Sequence, residues 1–161
     1  MKTFFVAVRA FLYAAGFVLL WGWLAGSVRR YDAGLGIGLP SGSQPLGIVL
    51  AVPGALLVLA CLGSFILRGH GTPAPFDPPV VFVPTGPYRY VRNPMYVGAA
   101  LVLAGYGLFQ RSFSVMLLTA GFLLMMHLFV ILLEEPGLER RFGSSYAAYK
   151  RAVNRWLPRI M

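Results

Sequence analysis

Residues 86–98 have the sequence GPYRYVRNPMYVG and lie between two long apolar segments. A lipid-facing helix has no need for two arginines, three tyrosines and an asparagine within so short a stretch. The Gly-Pro start is typical of a turn. Asn93-Pro94 indicates a stop followed by a helix start, because proline is tolerated in a first helical turn and the residue before it resists helix. We therefore predict a short ordered loop from Tyr88 to Asn93, at the mouth of a helix that begins near Met95.

The composition around this stretch is that of a membrane protein. Of 161 residues, 58% are hydrophobic and 12% are charged, and the mean hydropathy is +0.71. The single cysteine, Cys61, excludes a disulfide within one chain. The formal charge of +9 could indicate nucleic acid, but the basic residues flank apolar segments. Contact with a lipid bilayer explains them better, so no nucleic-acid partner is predicted.

Four apolar segments predict an all-α membrane protein with about four transmembrane helices, at residues 4–25, 46–67, 95–109 and 113–133. A span needs about 20 residues, so the third is short; it is expected either to cross a thinned region of the bilayer or to pack as a hairpin against the fourth. A cleaved signal peptide is the alternative interpretation of the first. Residues 28–45 are predicted to form a glycine-rich loop. The whole chain, 1–161, is expected to be one domain.

The connection at residues 68–94 is rich in proline, which holds a chain extended. We expect a fixed loop packed beneath the site, and a plain linker is the alternative. Residues 136–161 are predicted to form an amphipathic tail at the membrane interface, broken at Gly143-Ser144-Ser145. Its apolar residues recur at three- and four-residue steps, which is helical spacing: Leu138, Phe142, Tyr146, Tyr149, Val153 and Trp156.

The distribution of basic residues predicts the orientation in the membrane. With a cytoplasmic N-terminus, three basic residues face outward: Arg29, Arg30 and Arg111. Ten face the cytoplasm: Lys2, Arg68, Arg89, Arg92, Arg140, Arg141, Lys150, Arg151, Arg155 and Arg159. Positive charge is enriched on the cytoplasmic side of membrane proteins. We therefore predict a bacterial-type inner-membrane protein with both termini in the cytoplasm.

The strongest chemical signal is Glu134-Glu135, which we expect at the end of an apolar helix. Two carboxylates there are costly unless they are hydrated or paired, and they oppose the helix dipole. The alternative interpretation is that the two glutamates only mark the point where the helix ends at the water interface. Arg89 and Arg92 have the fork that suits a carboxylate, or else they contact lipid phosphate.

Tyrosines and a histidine are further candidates for the site. Tyr88, Tyr90 and Tyr96 could anchor the chain at the interface or offer a ring face to a cation. His127 lies seven residues before Glu134, so we expect it on the same helical face. The alternative is a histidine bonded to a neighbouring helix. No cluster of Cys and His with ligand spacing predicts a metal site.

The residues around both motifs resemble those of a known superfamily. Gly86, Tyr88, Arg92, Pro94 and Tyr96 match the Gly-x-Tyr-x-x-x-Arg-His-Pro-x-Tyr signature of the isoprenylcysteine carboxyl methyltransferase and phospholipid methyltransferase superfamily. Its C-terminal pattern is similar to Glu134-Glu135, Leu138, Phe142-Gly143, Tyr146, Tyr149 and Arg155-Trp156-Leu157-Pro158. The resemblance covers residues 72–159. Asn93 stands where the superfamily usually has histidine, and Asn154 where a proline often precedes the arginine.

The resemblance implies a small integral-membrane enzyme that uses S-adenosylmethionine. It would methylate a lipid-embedded or hydrophobic acceptor, such as a prenylcysteine-type carboxylate or a phospholipid amine. In such enzymes the glutamate pair helps to hold the amino group or ribose hydroxyls of the cofactor. The predicted cofactor-binding residues are Tyr88, Arg92, Asn93, Tyr96, His127, Glu134 and Glu135. The predicted catalytic residues are Arg92, Arg155 and Glu135.

Two other classes of function stay open. Sterol-reductase proteins resemble the superfamily in their C-terminal half and bind a nicotinamide cofactor there, so an NADPH-dependent membrane reductase is one alternative. The other is a non-catalytic membrane scaffold, which Asn93 in place of histidine favours. Binding of S-adenosylmethionine, of NADPH or of neither distinguishes the three.

Overall fold

A computed structural model of the chain describes residues 2–69, 72 and 81–159. These residues form helices and turns without a β-strand, apart from one isolated bridge between Gly38 and Ser112. Three helical segments are long and apolar enough to cross a membrane: Phe4–Leu35, Ser43–Gly69 and Phe113–Ala152. A shorter apolar helix spans Pro94–Phe109. The predicted all-α integral membrane protein with about four helices is confirmed.

The helical elements follow one another with few irregular connections. In chain order they are α1 (Lys2–Val28), a 3₁₀ turn (Arg29–Tyr31), α2 (Asp32–Leu35), α3 (Ser43–Ser64), a first π-helical turn (Phe65–Gly69), a 3₁₀ turn (Gly86–Arg89), α4 (Pro94–Phe109), α5 (Phe113–Phe129), a second π-helical turn (Val130–Glu134) and α6 (Glu135–Ala152). The proline-rich connection falls mostly on residues 73–80, which lie outside the described residues.

The loop predicted at residues 28–45 is wrong in its first part, because helical structure continues from α1 to Leu35. The carboxylate of Asp32 accepts a hydrogen bond from the backbone N–H of Ser114, at 2.8 Å, in the first turn of α5. That N–H has no partner within its own helix, so the carboxylate supplies its missing hydrogen bond. The negative charge also interacts favourably with the dipole of α5 at its N-terminus. Gly36 then ends α2 in the left-handed conformation, with φ of 63°.

The helix end predicted at Glu134-Glu135 is also wrong. The second π-helical turn joins α5 directly to α6, and α6 continues to Ala152. Pro136 lies in the first turn of α6. Proline has no N–H and would remove one bond from a regular helix, and a π-helical turn rearranges the bonding just before it. Further along, Gly143 has φ of 51° and ψ of −124°, so α6 kinks where the break in the tail is predicted.

One end of the helix bundle is closed by the tight turn between α4 and α5, and we call it the turn end. The Ser43 hydroxyl donates to the Leu108 carbonyl, at 2.9 Å, and the Arg111 side chain donates to the Leu39 carbonyl, at 3.0 Å. The Ser112 hydroxyl caps α5 by accepting the N–H of Val115. These bonds tie the start of α3 to the α4–α5 hairpin.

Glycines bring α3 and α4 into very close contact. A Cβ atom at Gly105 would lie 2.5 Å from the Gly47 carbonyl oxygen, and one at Gly98 would lie 2.8 Å from the Gly54 carbonyl oxygen. Small residues at such positions allow membrane helices to pack backbone against backbone. On the other side of the hairpin, α1 packs against α5 with the Trp21 and Phe122 rings at 4.8 Å. The cavity described next lies at the end of the bundle opposite the turn end.

Candidate active site

A cavity of about 340 Å³ opens between the start of α4, the second π-helical turn and α6. Its volume is within the range of small-molecule sites, about 300–1,000 Å³. Its walls are mainly apolar and aromatic, with a few charged groups. The lining residues are Phe65, Phe82, Val83, Tyr88, Arg92, Asn93, Tyr96, Phe129, Val130, Leu133, Glu134, Glu135, Gly137, Leu138, Arg141, Phe142, Tyr146 and Tyr149.

The two adjacent glutamates have different partners. The Tyr96 hydroxyl donates to Glu134 Oε2 at 3.0 Å. Glu135 accepts from Arg92 Nη1 at 2.9 Å and from Arg155 Nε at 2.7 Å, and Arg155 Nη2 reaches its second oxygen at 3.0 Å. Neighbouring residues on a helix point about 100° apart, so one carboxylate faces α4 and the other faces the arginines. Glu135 is therefore paired with two cations, whereas Glu134 is bonded to a neutral hydroxyl.

Arg155 approaches Glu135 with two parallel hydrogen bonds, the strongest geometry for such a pair. This hydrogen bonding to Glu135 raises the pKa of Arg155 above its ordinary value. Arg92 is more buried than Arg155, and its Nε atom is buried with no hydrogen-bond partner among the described residues. Arg92 therefore keeps one buried N–H donor for which the described residues supply no acceptor.

The loop before α4 and the segment after α6 are joined by backbone hydrogen bonds. The Arg92 N–H donates to the Asn154 carbonyl at 2.9 Å, and the Asn93 N–H donates to the Arg155 carbonyl at 3.2 Å. The buried Asn93 side chain donates to that same carbonyl through Nδ2, also at 3.2 Å. Asn93 therefore fixes the C-terminal segment, and with it Arg155, against the mouth of α4.

Tyr88 forms a wall of the cavity. Its ring packs edge to face on Phe65, with centroids 5.2 Å apart, and its carbonyl accepts a hydrogen bond from the Tyr149 hydroxyl at 2.5 Å. Burial raises the pKa of the Tyr88 hydroxyl well above its ordinary value, so the ring stays neutral. The contact with Tyr149 holds α6 over the cavity. Tyr90, the remaining tyrosine of the loop, is exposed and stacks with the Arg89 guanidinium, outside the cavity lining.

The prediction that His127 shares a face with Glu134 is wrong. The π-helical turn between them closes each bond over one residue more than an α-helix does, which rotates the following residues by about 100°. His127 is absent from the cavity lining, and its Nδ1 accepts a hydrogen bond from Trp156 Nε1 at 3.0 Å. The alternative interpretation, a histidine bonded to a neighbouring helix, comes closer, but the partner Trp156 lies in the segment that follows α6. The structure thus brings together Tyr88, Arg92, Asn93, Tyr96, Glu134 and Glu135 around the cavity, with Arg155 behind Glu135.

The predicted site lacks most of the apolar and aromatic lining residues, and among the residues it lacks are Phe82, Arg141, Tyr146 and Tyr149. Phe82 packs its ring against those of both tyrosines, at 5.9 Å and 5.1 Å. The tyrosines belong to the apolar face of the tail, which is predicted to lie at the membrane interface. Part of this face closes the cavity, because the Phe82 ring packs on both tyrosines and the Tyr88 carbonyl accepts the hydrogen bond from Tyr149. The three- and four-residue spacing was the available signal, since a covered face can line a site as well as lie on lipid.

Comparisons with known proteins identify a family for most of the chain. Residues 43–145, more than half of the chain, match the family described as phospholipid methyltransferase. A protein from Haemophilus influenzae (strain ATCC 51907 / DSM 11121 / KW20 / Rd) with the description "Uncharacterized protein" is 36% identical over 63 residues, which are 39% of this chain and 100% of that protein. No solved structure matches the chain significantly.

Proposed function

Because the chain belongs to the phospholipid methyltransferase family, we propose that it transfers a methyl group from S-adenosylmethionine to a lipid-embedded or hydrophobic acceptor. The acceptor is a phospholipid amine or a prenylcysteine-type carboxylate. The main support for this proposal is the position of Glu134. Its carboxylate lies in an apolar cavity, and its hydrogen-bond partner is a tyrosine hydroxyl and not a cation. Such a group attracts a cationic ligand.

The cavity residues fit the chemical groups of this cofactor. Glu134 can accept hydrogen bonds from an ammonium group or from ribose hydroxyls, and Tyr96 orients it. The guanidinium groups of Arg92 and Arg141, which both line the cavity, suit a carboxylate. Aromatic faces from Tyr88, Tyr146 and Tyr149 suit a cationic sulfur. When bound, the cofactor supplies an electrophilic methyl group that the lone pair of the acceptor attacks.

The chain itself aligns the two reactants and excludes water. Correct orientation alone is worth several kcal/mol in such a displacement, about 7–11 kcal/mol at most. The aromatic wall and α6 limit access of water to the cavity, which favours a step in which positive charge is dispersed. Glu135, Arg92 and Arg155 are mutually paired, so we assign them a positioning role rather than the catalytic one predicted from the sequence. Asn93 shares that role by holding Arg155 in place.

Calorimetric titration of the purified protein in detergent tests the proposal. We expect S-adenosylmethionine to bind and Glu134→Gln to weaken its binding at least about tenfold, because a charge-assisted hydrogen bond is lost. The matched control is Glu139→Gln, since Glu139 pairs with Lys150 outside the cavity. Its affinity should stay within about twofold of the wild type. Binding of NADPH alone would support the reductase, and binding of neither would support the scaffold.

We further propose that the cavity faces the cytoplasm and that the chain forms one domain in a bacterial-type inner membrane. The support is the distribution of charge, since Arg68, Arg89 and Arg92 lie near the cavity while Arg111 lies at the turn end.

This orientation predicts how introduced cysteines react in whole cells. Ser41→Cys, at the turn end, should react with a membrane-impermeant maleimide, whereas Ser144→Cys, on the exposed side of α6, should react only after permeabilisation. Cys61 is buried and gives little background. The reverse pattern would invert the orientation.

A further inference from the structure

A second depression is lined by the same two chain segments that contribute Phe65 and Tyr88 to the cavity. It is a groove of about 310 Å³ between the end of α3 and the Gly86-Pro87 turn. Ser64 and Pro87 line the groove, and the residues that follow them, Phe65 and Tyr88, line the cavity. The Phe65 and Tyr88 rings, whose centroids are 5.2 Å apart, form one wall of the cavity. The groove and the cavity are therefore neighbours along the same two chain segments.

The groove is shaped by small residues of α3. Ala60 and Gly63 line it, and a Cβ atom at Gly63 would meet nothing within 4 Å, so the space beside the helix is open. Leu67 lines the same groove and is 71% exposed. All three belong to the apolar segment Ser43–Gly69, which can cross a membrane. The groove therefore offers an exposed apolar surface on a segment that is long and apolar enough to cross a membrane.

The opposite wall is held firmly in place. Gly86 has φ of 62°, and a Cβ atom there would lie 2.7 Å from the Ser64 hydroxyl oxygen. That hydroxyl is itself bonded to the Ala60 carbonyl, at 2.9 Å. Only glycine combines this backbone conformation with so close an approach. The groove is thus bounded on both sides by packed structure.

Arg68 supplies the charge of the groove, since no carboxylate is among its lining residues, all of which the structure describes. Arg68 is exposed, and its Nη1 lies 3.9 Å from the Cβ position of Gly86. It stands at the polar end of a membrane-crossing segment, where lipid phosphates lie. Basic pockets at this level bind phosphate head groups.

We propose that this groove binds a phospholipid of the bilayer, with its phosphodiester on the Arg68 guanidinium and an acyl chain along Ala60, Gly63 and Leu67. The phosphate and the acyl chain fit the positive charge and the apolar surface respectively. The head group beyond the phosphate then points at the Phe65–Tyr88 wall. On the proposed function, this lipid is the methyl acceptor and enters the cavity past that ring pair.

Photolabelling in nanodiscs tests the site without requiring methyl transfer. The probe is a phospholipid with a diazirine on one acyl chain, and the control probe is a diacylglycerol with the same chain and no phosphate. We expect the phospholipid to label residues 60–67 and the diacylglycerol to label them at least about tenfold less. Arg68→Gln and Gly63→Leu should each reduce phospholipid labelling of this segment about tenfold, the first by removing charge and the second by filling the groove.

Matched variants elsewhere keep the comparison specific. Arg30→Gln removes an exposed arginine near the turn end, and Gly121→Leu adds a side chain to α5 where a Cβ meets nothing within 4 Å. Both should leave labelling of residues 60–67 within about twofold. Equal labelling by the two probes, or undiminished labelling in Arg68→Gln, overturns the proposal. If labelling depends on Arg68 while S-adenosylmethionine fails to bind, the lipid site stands and the proposed function falls.

Discussion

Glu135→Ala is expected to lower the free energy of unfolding by on the order of 3 kcal/mol, because two guanidinium groups lose the carboxylate they share. The loss falls mainly on Arg92, whose side chain is 10% exposed and cannot hydrate freely, whereas that of Arg155 is 29% exposed. Denaturation of the purified protein in detergent, followed by helical circular dichroism, measures the change. Arg92→Met in the Glu135→Ala background should recover part of the stability, since it removes the stranded charge.

Glu139→Ala is the matched control for this measurement. Glu139 also belongs to α6 and also pairs with a cation, but its side chain is 45% exposed and that of Lys150 is 36% exposed. Exposed ion pairs contribute about 0–1 kcal/mol, so this variant should stay close to the wild type. Equal losses of unfolding free energy in the two variants would mean that any substitution in α6 destabilises the protein. The pairing of Glu135 with the two arginines would then not be the cause.

Gly105→Ala is expected to destabilise the protein by about 1–3 kcal/mol through overpacking. The new methyl group would lie 2.5 Å from the Gly47 carbonyl oxygen and 2.7 Å from the Ala51 backbone nitrogen. Both are backbone atoms, so no side-chain rotation relieves the contact and α3 and α4 must separate. Because Tyr96 is carried by the first turn of α4, we also expect weaker S-adenosylmethionine binding in this variant.

Gly121→Ala gives the comparison for the glycine prediction. A Cβ atom at Gly121 meets nothing within 4 Å, so the same change on α5 should alter stability by no more than about 0.5 kcal/mol. If Gly105→Ala were as stable as Gly121→Ala, the close packing of α3 on α4 would not be a determinant of the fold.

The parts of the structure that sequence could predict are those set by local composition or by the two motifs. An apolar run long enough to cross a bilayer has to be helical whatever surrounds it, which is why the membrane helices were predictable. Arg92, Asn93, Tyr96, Glu134 and Glu135 were chosen from two motifs far apart in the chain, and they line one cavity.

The remainder depends on contacts that no local pattern encodes. The extension of α1 to Leu35 rests on Asp32 reaching α5, and the position of Arg155 rests on its backbone pairing with Asn93. An apolar helical face shows that something covers it but not whether lipid or protein does, so the role of Tyr146 and Tyr149 was missed. The π-helical turn before Glu135 has no simple sequence signature. Because the prediction assumed a regular α-helix there, it placed His127 on the face of Glu134.

That second π-helical turn limits how chains of this kind can differ in length. Loss of one residue from 130–133 would restore regular helical bonding and turn the carboxylates about 100° away from Tyr96 and Arg155. A gain of one residue would rotate them the other way. Connections outside this turn can lengthen or shorten freely. A loss of one residue within the turn has to be balanced by a gain of one residue before α6, and a gain by a loss. When related sequences are aligned, the distance between the position of His127 and that of Glu134 is therefore expected to be constant.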